Sequence, residues 1–314
     1  MTKQIAFLFP GQGSQSVGML NAFKANTTTA SLYASLAAEA SQALGQDLAG
    51  LIEQGPAESL NLTTNTQPAM LFADMLVYRA WLAAGGEAPQ LVAGHSLGEY
   101  AALVAAGALR FSDALSLVRI RAQAMQEAVP VGQGGMAAIL GLSDDHVRQA
   151  CGMASQGNEV AEAVNFNAPS QVVIAGTALG VKAACEHAKT LGAKRALELP
   201  VSAPFHSSLM RPASIKLATA LKLCEFQSPV VPVYNNIDVA TESDPDRVRD
   251  ALVRQAYGPV RWVETIEAMS KAGATLFVEC GPGKVLAGLV KRITDVPVVN
   301  LFDPDSIQAA LHAQ

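Results

Sequence analysis

Three short apolar runs along the chain stop abruptly at glycine. IAFLF (5–9) ends at Pro10-Gly11, LVAG (91–94) passes into HSLG, and TLFVE (275–279) passes into CGPGKVLAGLV. Runs of this length without polar alternation predict strands buried on both faces, and the helical periods that follow predict the crossover helices of a parallel sheet. In open α/β sheets ligands gather at the carboxyl ends of the strands. Three glycine turns of this kind therefore predict one shared site.

The middle of the chain reads differently. GMAAILGL (135–142) predicts a strand, SDDHVRQACGMAS (143–155) a helix capped by Ser143, and VAEAVNFN (160–167) and QVVIAGT (171–177) two more strands. ALGVKAACEHAKTLG (178–192) then predicts a helix and AKRALELPV (193–201) a last strand. The order β-α-β-β-α-β is that of a ferredoxin-like unit. GQGGM (132–136) and PVSAP (200–204) are the expected crossings, so residues 131–202 form a small domain inserted into a larger one made of 1–130 and 203–314.

Composition narrows the function. With 314 residues, half of them apolar, the chain can bury a large core. The net charge of −5 is spread without a basic block, which argues against a nucleic-acid partner. Cys151, Cys185, Cys224 and Cys280 form no CxxC pair, so neither a disulfide framework nor a metal site is expected. IAFLF lacks a small-residue cleavage site behind it, and the longest apolar run, AALVAAGAL, is about half of the roughly 20 residues that cross a bilayer. A cytoplasmic protein with no membrane partner is expected. GPGKV lacks the spacing of a phosphate-wrapping loop and GQGSQ the third glycine of a dinucleotide fingerprint, so no cofactor is expected either.

The candidate chemistry centres on Gly94-His95-Ser96-Leu97-Gly98, which has the G-x-S-x-G form of a nucleophile elbow. A serine on a sharp strand-to-helix turn has a strained backbone, and side chains two places to either side would collide across it. Glycines at both places remove the collision. The hydroxyl needs a base. His95 diverges from its neighbour Ser96, His146 and His187 fall in small-domain helices, and His312 lies in the tail. His206, in VSAPFHSSLM, remains, with a packing or capping role as its bland alternative. The acids between Ser96 and His206 that could orient the imidazole, Asp113, Asp144 and Asp145, all fall at helix starts rather than strand ends. A backbone or amide carbonyl can do the same work, since only the tautomer must be fixed.

Together GQGSQ (11–15), GHSLGEY (94–100), RAQAMQEAVP (121–130), VNFNAPSQVVIAG (164–176), VSAPFHSSLM (201–210), VRQAYGPVRW (253–262) and ECGPGKVL (279–286) closely resemble the malonyl-CoA:acyl-carrier-protein transacylase family, in the family's order and over nearly the whole chain. The resemblance implies an α/β-hydrolase-like large domain with the ferredoxin-like insertion, and a malonyl transfer for fatty-acid biosynthesis. By position it implies Ser96 as nucleophile, His206 as base, Gln255 as the carbonyl that orients it, and the N–H groups of Gln12 and Leu97 as the oxyanion hole. Arg121 matches the residue that pairs with the malonyl carboxylate, and Asn167 and Gln67 match positions lining the cleft. Phe205 fits members that exclude a branched methylmalonyl unit. Malonyl-CoA and acyl carrier protein are the implied partners, and a monomer the implied state.

Periodicity alone leaves the arginine open. On the helix expected from Ser112 to about Glu127, Phe111, Leu115, Val118, Ala122 and Met125 form one stripe, flanked by Arg119 on one side and Arg121 on the other. Acidic carrier proteins in the family imply basic docking residues, for which Lys194, Arg195, Lys291 and Arg292 are the candidates. Three rivals remain: an acyltransferase serving a polyketide synthase, a serine thioesterase or lipase, and a carrier-binding module without catalysis.

Overall fold

The computed structural model describes residues 4–201 and 203–312; the domain limits expected at residues 1, 202 and 314 lie outside them. Nine strands occur among the described residues: β1 (Ile5–Phe9), β2 (Leu91–Gly94), β3 (Gly134–Leu140), β4 (Ala161–Ala168), β5 (Gln171–Thr177), β6 (Arg195–Glu198), β7 (Val233–Tyr234), β8 (Leu276–Cys280) and β9 (Val298–Leu301). They form two sheets, one ordered β7-β2-β1-β8-β9 and one ordered β4-β5-β3-β6. Every pair in the first is parallel and every pair in the second antiparallel. The protein is thus a mixed α/β structure around a parallel sheet, as the glycine-terminated runs predict.

β1 lies at the centre of the parallel sheet and is buried throughout. Its pleat sends Ile5, Phe7 and Phe9 into one apolar cluster and Ala6 and Leu8 into the cluster on the opposite face. That two-sided burial is why the run shows no polar alternation. The helix Thr63–Ala83 fills the first cluster with residues from Ala69 to Trp81 and places Gln67 near the strand ends.

The antiparallel sheet is two-faced. Ala137 and Ile139 of β3 pack beneath the helices Asp144–Ala154 and Ala178–Thr190, while Met136 of β3 and Val173 of β5 turn to the other side, against Leu199, Val201 and Phe205. Its edge strand β4 joins the large sheet's side of the molecule through Val260, which donates to Val164 at 2.8 Å and accepts from Phe166 at 3.0 Å. Among the described residues no helix is long and apolar enough to cross a membrane.

At the parallel sheet's strand ends the turns after β1 and β2 converge as predicted, whereas the third turn, after β8, packs Gly281 against Pro10 and lines no part of the cavity described below. A Cβ on Gly11 would meet the His95 carbonyl at 2.7 Å, so the turn after β1 touches the turn after β2. A Cβ on Gly98 would meet the Phe9 carbonyl at 2.0 Å, and one on Gly94 the Gly98 carbonyl carbon at 1.9 Å. The collision inferred across the serine is real, and a second one exists with β1. Because the clashing atoms are backbone, they cannot swing aside. Gly98→Ala should therefore destabilise the fold by about 3 kcal/mol or more, read as a lowered midpoint in urea unfolding.

Candidate active site

Ser96 sits at φ +53°, in the left-handed region that side chains other than glycine avoid. The turn lifts its hydroxyl to 2.7 Å from His206 Nε2. His206 is itself at φ +67° and is 4 % exposed. Its Nδ1 lies 2.9 Å from the backbone carbonyl of Gln255. A carbonyl can only accept, so the proton resides on Nδ1 and the lone pair of Nε2 faces the serine hydroxyl. Gln255 closes the helix Pro245–Gln255, and a terminal carbonyl has no partner within its helix. That free carbonyl does what an aspartate would otherwise do. Asp113 instead accepts from Arg110 at 2.8 Å, and Asp144 and Asp145 head the helix Asp144–Ala154.

The ambiguity between the two arginines disappears in three dimensions. On the helix Phe111–Ala128, Arg119 turns away and donates to Gln46 Oε1 at 2.6 Å. Arg121 is 2 % exposed and aims at the elbow. Its Nη1 donates to Gln67 Oε1 at 2.8 Å, and its Nη2 donates both to Ser96 Oγ and to Gln255 Oε1 at 3.1 Å. The Tyr100 ring lies 5.8 Å from its Cζ. Among the described residues no carboxylate forms an ion pair with it. A buried guanidinium held only by amides, a hydroxyl and an aromatic face is costly unless an anion completes it.

Between these groups lies a cavity of about 150 Å³. Gln12, Gln67, Ser96, Arg121 and His206 line its polar side, and Phe205 stands on its apolar wall. Gln12 is held by Thr63, whose hydroxyl donates to Gln12 Oε1 at 2.9 Å and accepts from Gln67 Nε2 at 3.3 Å. The backbone N–H groups of Gln12 and Leu97 find no acceptor among the described residues, which leaves both free for a ligand oxygen. Asn167 departs from expectation: it does not line the cavity, and its Oδ1 pairs with His95 Nε2 at 2.8 Å. Asn165 and Asn167 would share a face in a regular strand, but the register shift between Phe166 and Ala168 separates them, and Asn165 lines the cavity instead. His95 packs its ring edge against Trp262, 5.3 Å away, and takes no part at the serine.

Two residues that the sequence did not single out complete the site. Asn236 accepts from the Ser96 N–H at 2.7 Å, and Glu99, 2 % exposed, accepts from Gln255 Nε2 at 2.9 Å. Glu99 could have been noticed as an acid inside an otherwise small, apolar helix. Asn236 follows a two-residue strand and carries no signal of its own.

A protein-family comparison matches residues 6–300 to the acyl transferase domain. The chain belongs to this family. It is 52 % identical to the malonyl CoA-acyl carrier protein transacylase of Escherichia coli (strain K12), over 98 % of this chain and 99 % of that one. Among solved structures it resembles the acyl-carrier-protein S-malonyltransferase of Burkholderia pseudomallei 1710b, with 62 % identity, a TM-score of 0.95 and coverage of 98 % and 99 % of the two chains. A malonyl-transacylase in complex with its type II PKS acyl-carrier protein is similarly close, with 47 % identity, a TM-score of 0.96 and coverage of 99 % and 100 %.

In this acyl transferase domain, electrostatics favour a neutral base. Burial, followed by the Arg121 guanidinium, pushes the His206 imidazole down to about 3. Burial raises Glu99 to about 7 against the pull of Gln255, Asn236 and Arg121. The basic residues expected to dock a carrier, Lys194, Arg195, Lys291 and Arg292, are all exposed. Arg292 is engaged, donating to Gln171 Oε1 and, at 2.7 Å, to the Pro169 carbonyl.

A depressed imidazole stays unprotonated as pH falls, so the reaction of Ser96 with a neutral sulfonyl fluoride should show no inflection near the ordinary histidine value of 6.5. Replacing Arg121 by Met removes a positive neighbour, favours the imidazolium and should move the acid limb upward. A wild-type inflection near 6.5 would contradict the assignment.

Proposed function

We propose that the protein transfers the malonyl group of malonyl-CoA to the phosphopantetheine thiol of acyl carrier protein, through a Ser96 ester, in fatty-acid biosynthesis. The observation that carries this reading is the buried Arg121 guanidinium, which has no carboxylate partner among the described residues and lies 3.1 Å from Ser96 Oγ. An acyl group that ends in a carboxylate satisfies it with two parallel hydrogen bonds while its thioester carbon meets the serine. The names of the relatives agree with that substrate.

In the first half-reaction Ser96 Oγ attacks the thioester carbon as its proton passes to His206 Nε2. The oxyanion is held by the N–H groups of Gln12 and Leu97. Collapse breaks the C–S bond, and the coenzyme A thiolate takes the proton from His206. In the second, the carrier thiol gives its proton to His206 and attacks the ester, and collapse returns the proton to Ser96. The Gln255 carbonyl keeps the imidazole in the right tautomer in both. Gln67 steadies Arg121, and Phe205 narrows the cavity against a branched methylmalonyl unit. Service to a polyketide synthase is the second reading, favoured by the relative solved with a type II PKS carrier.

The same reading takes residues 131–202 as a ferredoxin-like insertion in an α/β-hydrolase-like domain, and the protein as a cytoplasmic monomer. The strand order β4-β5-β3-β6, with two helices on one face, supports the insertion.

Incubation with malonyl-CoA should add one malonyl group to the intact mass, removable by acyl carrier protein, and Ser96→Ala should abolish the adduct. Free malonate as the main product would favour a thioesterase instead. Arg121→Ala should lower the preference for malonyl-CoA over acetyl-CoA by about 10- to 100-fold, whereas Arg119→Ala should leave it unchanged. For docking, charge reversal at Lys194, Arg195 and Lys291 should raise the KM for carrier protein and spare that for malonyl-CoA, as high salt would. Unaltered carrier kinetics would place docking on another face.

A further inference from the structure

One side chain holds the two peptide groups that lead into the strained Ser96. Asn236, fully buried, accepts from the Ser96 N–H at 2.7 Å through Oδ1 and donates to the Gly94 carbonyl at 2.8 Å through Nδ2. Its own N–H donates to Glu99 Oε2 at 2.9 Å, and that same oxygen accepts from Gln255 Nε2 at 2.9 Å. Gln255 Nε2 also reaches the Ser96 carbonyl at 3.0 Å. The segment bearing the nucleophile and the residue whose carbonyl orients the base thus meet on a single carboxylate.

The surrounding chain is arranged to deliver these contacts. β7 lies beside β2, so the turn after β7 arrives next to the elbow. Asn235 closes that turn by donating to the Ala240 carbonyl at 3.0 Å. Arg254 forks onto Asp238 with two bonds of 2.7 Å, pinning the turn to the helix that ends in Gln255. An apolar pair could fill this space at a smaller desolvation cost. The buried polar pair directs its bonds to the segments that carry the reaction.

We propose that Asn236 and Glu99 are positioning residues that hold the Ser96 backbone and the Gln255 carbonyl in one frame, keeping Ser96 Oγ, His206 Nε2 and the Leu97 N–H in register. This rests on Ser96 being the nucleophile. Neither residue lines the cavity, so they act through the elbow and the base and not on the substrate.

The test compares Asn236→Leu, Asn236→Asp, Glu99→Leu and Glu99→Gln by kcat and KM for malonyl-CoA, by the rate of Ser96 sulfonylation with phenylmethanesulfonyl fluoride, and by thermal unfolding. Loss of register should lower kcat about 100-fold in Asn236→Leu and Glu99→Leu, with KM within about threefold and sulfonylation slowed in parallel. Glu99→Gln should stay near wild type, because an amide oxygen can accept both bonds. Asn236→Asp keeps the acceptor for Ser96 and loses the donor to Gly94; it should fall at least about tenfold, and it serves should the leucine variant fail to fold. A folded Asn236 variant with wild-type kcat, a raised KM at unchanged kcat, or equal losses in Glu99→Gln and Glu99→Leu would overturn the proposal. Sulfonylation needs neither malonyl-CoA nor carrier protein. A chain sulfonylated at Ser96 in an Asn236-dependent way that transferred no malonyl would refute the function and leave this inference standing.

Discussion

The site depends on one steric constraint: Ser96 must stand at φ +53° where three backbone segments touch. Holding a side chain there costs on the order of 1–3 kcal/mol, and the surrounding structure over-determines it. Gly94 and Gly98 admit the close approach, β1 closes over the elbow at the Phe9 carbonyl, and the turn at Asn236 grips the Ser96 N–H and the Gly94 carbonyl. With the hydroxyl so lifted, His206 can meet it at 2.7 Å.

Charge is managed by amides rather than by acids. Around Arg121 stand Gln67, Gln255 and Ser96, which bond to the guanidinium without neutralising it. Glu99 sits behind Gln255, close enough to feel the charge and separated from it by the amide. An acid in direct contact would satisfy the arginine permanently and leave nothing for an anionic acyl group. After burial itself, the same unneutralised charge lowers the basicity of the His206 imidazole. A negative charge brought against Arg121 would lessen that effect on the imidazole.

The antiparallel sheet contributes a wall rather than chemistry. Its inner face, with Met136 and Val173, meets Phe205 across the apolar side of the cavity. The chain returns from β6 directly into the segment bearing Phe205 and His206. Ser208 then donates to Glu162 Oε2 at 2.6 Å, tying that segment to β4. His206 is therefore fixed between the two sheets, and its placement depends on how they pack.

Local chemistry was legible in the sequence. A strand buried on both faces has no polar alternation, so β1, β2 and β8 could be read from composition and length, and the β-α-β-β-α-β order from successive periods. The elbow was legible because its constraint is local: residues two apart collide, and glycine is the remedy. Ser96 followed from that, while elimination left His206 open between a base and a packing residue, and only the family resemblance favoured the first. What the tertiary structure alone decided is the set of contacts between residues far apart in the chain. Arg119 and Arg121 flank the same apolar stripe, and only the packing of their helix against Gln67 and Gln255 turns one of them inward. Asn167 and Asn165 differ by one pleat of an irregular edge strand, so which of them reached the cavity depended on a bulge. Asn236 lies 140 residues from Ser96. Nothing near it in the sequence marks it, because its role is defined by the backbone of another segment, and such a relation exists only once the sheet has brought β7 beside β2.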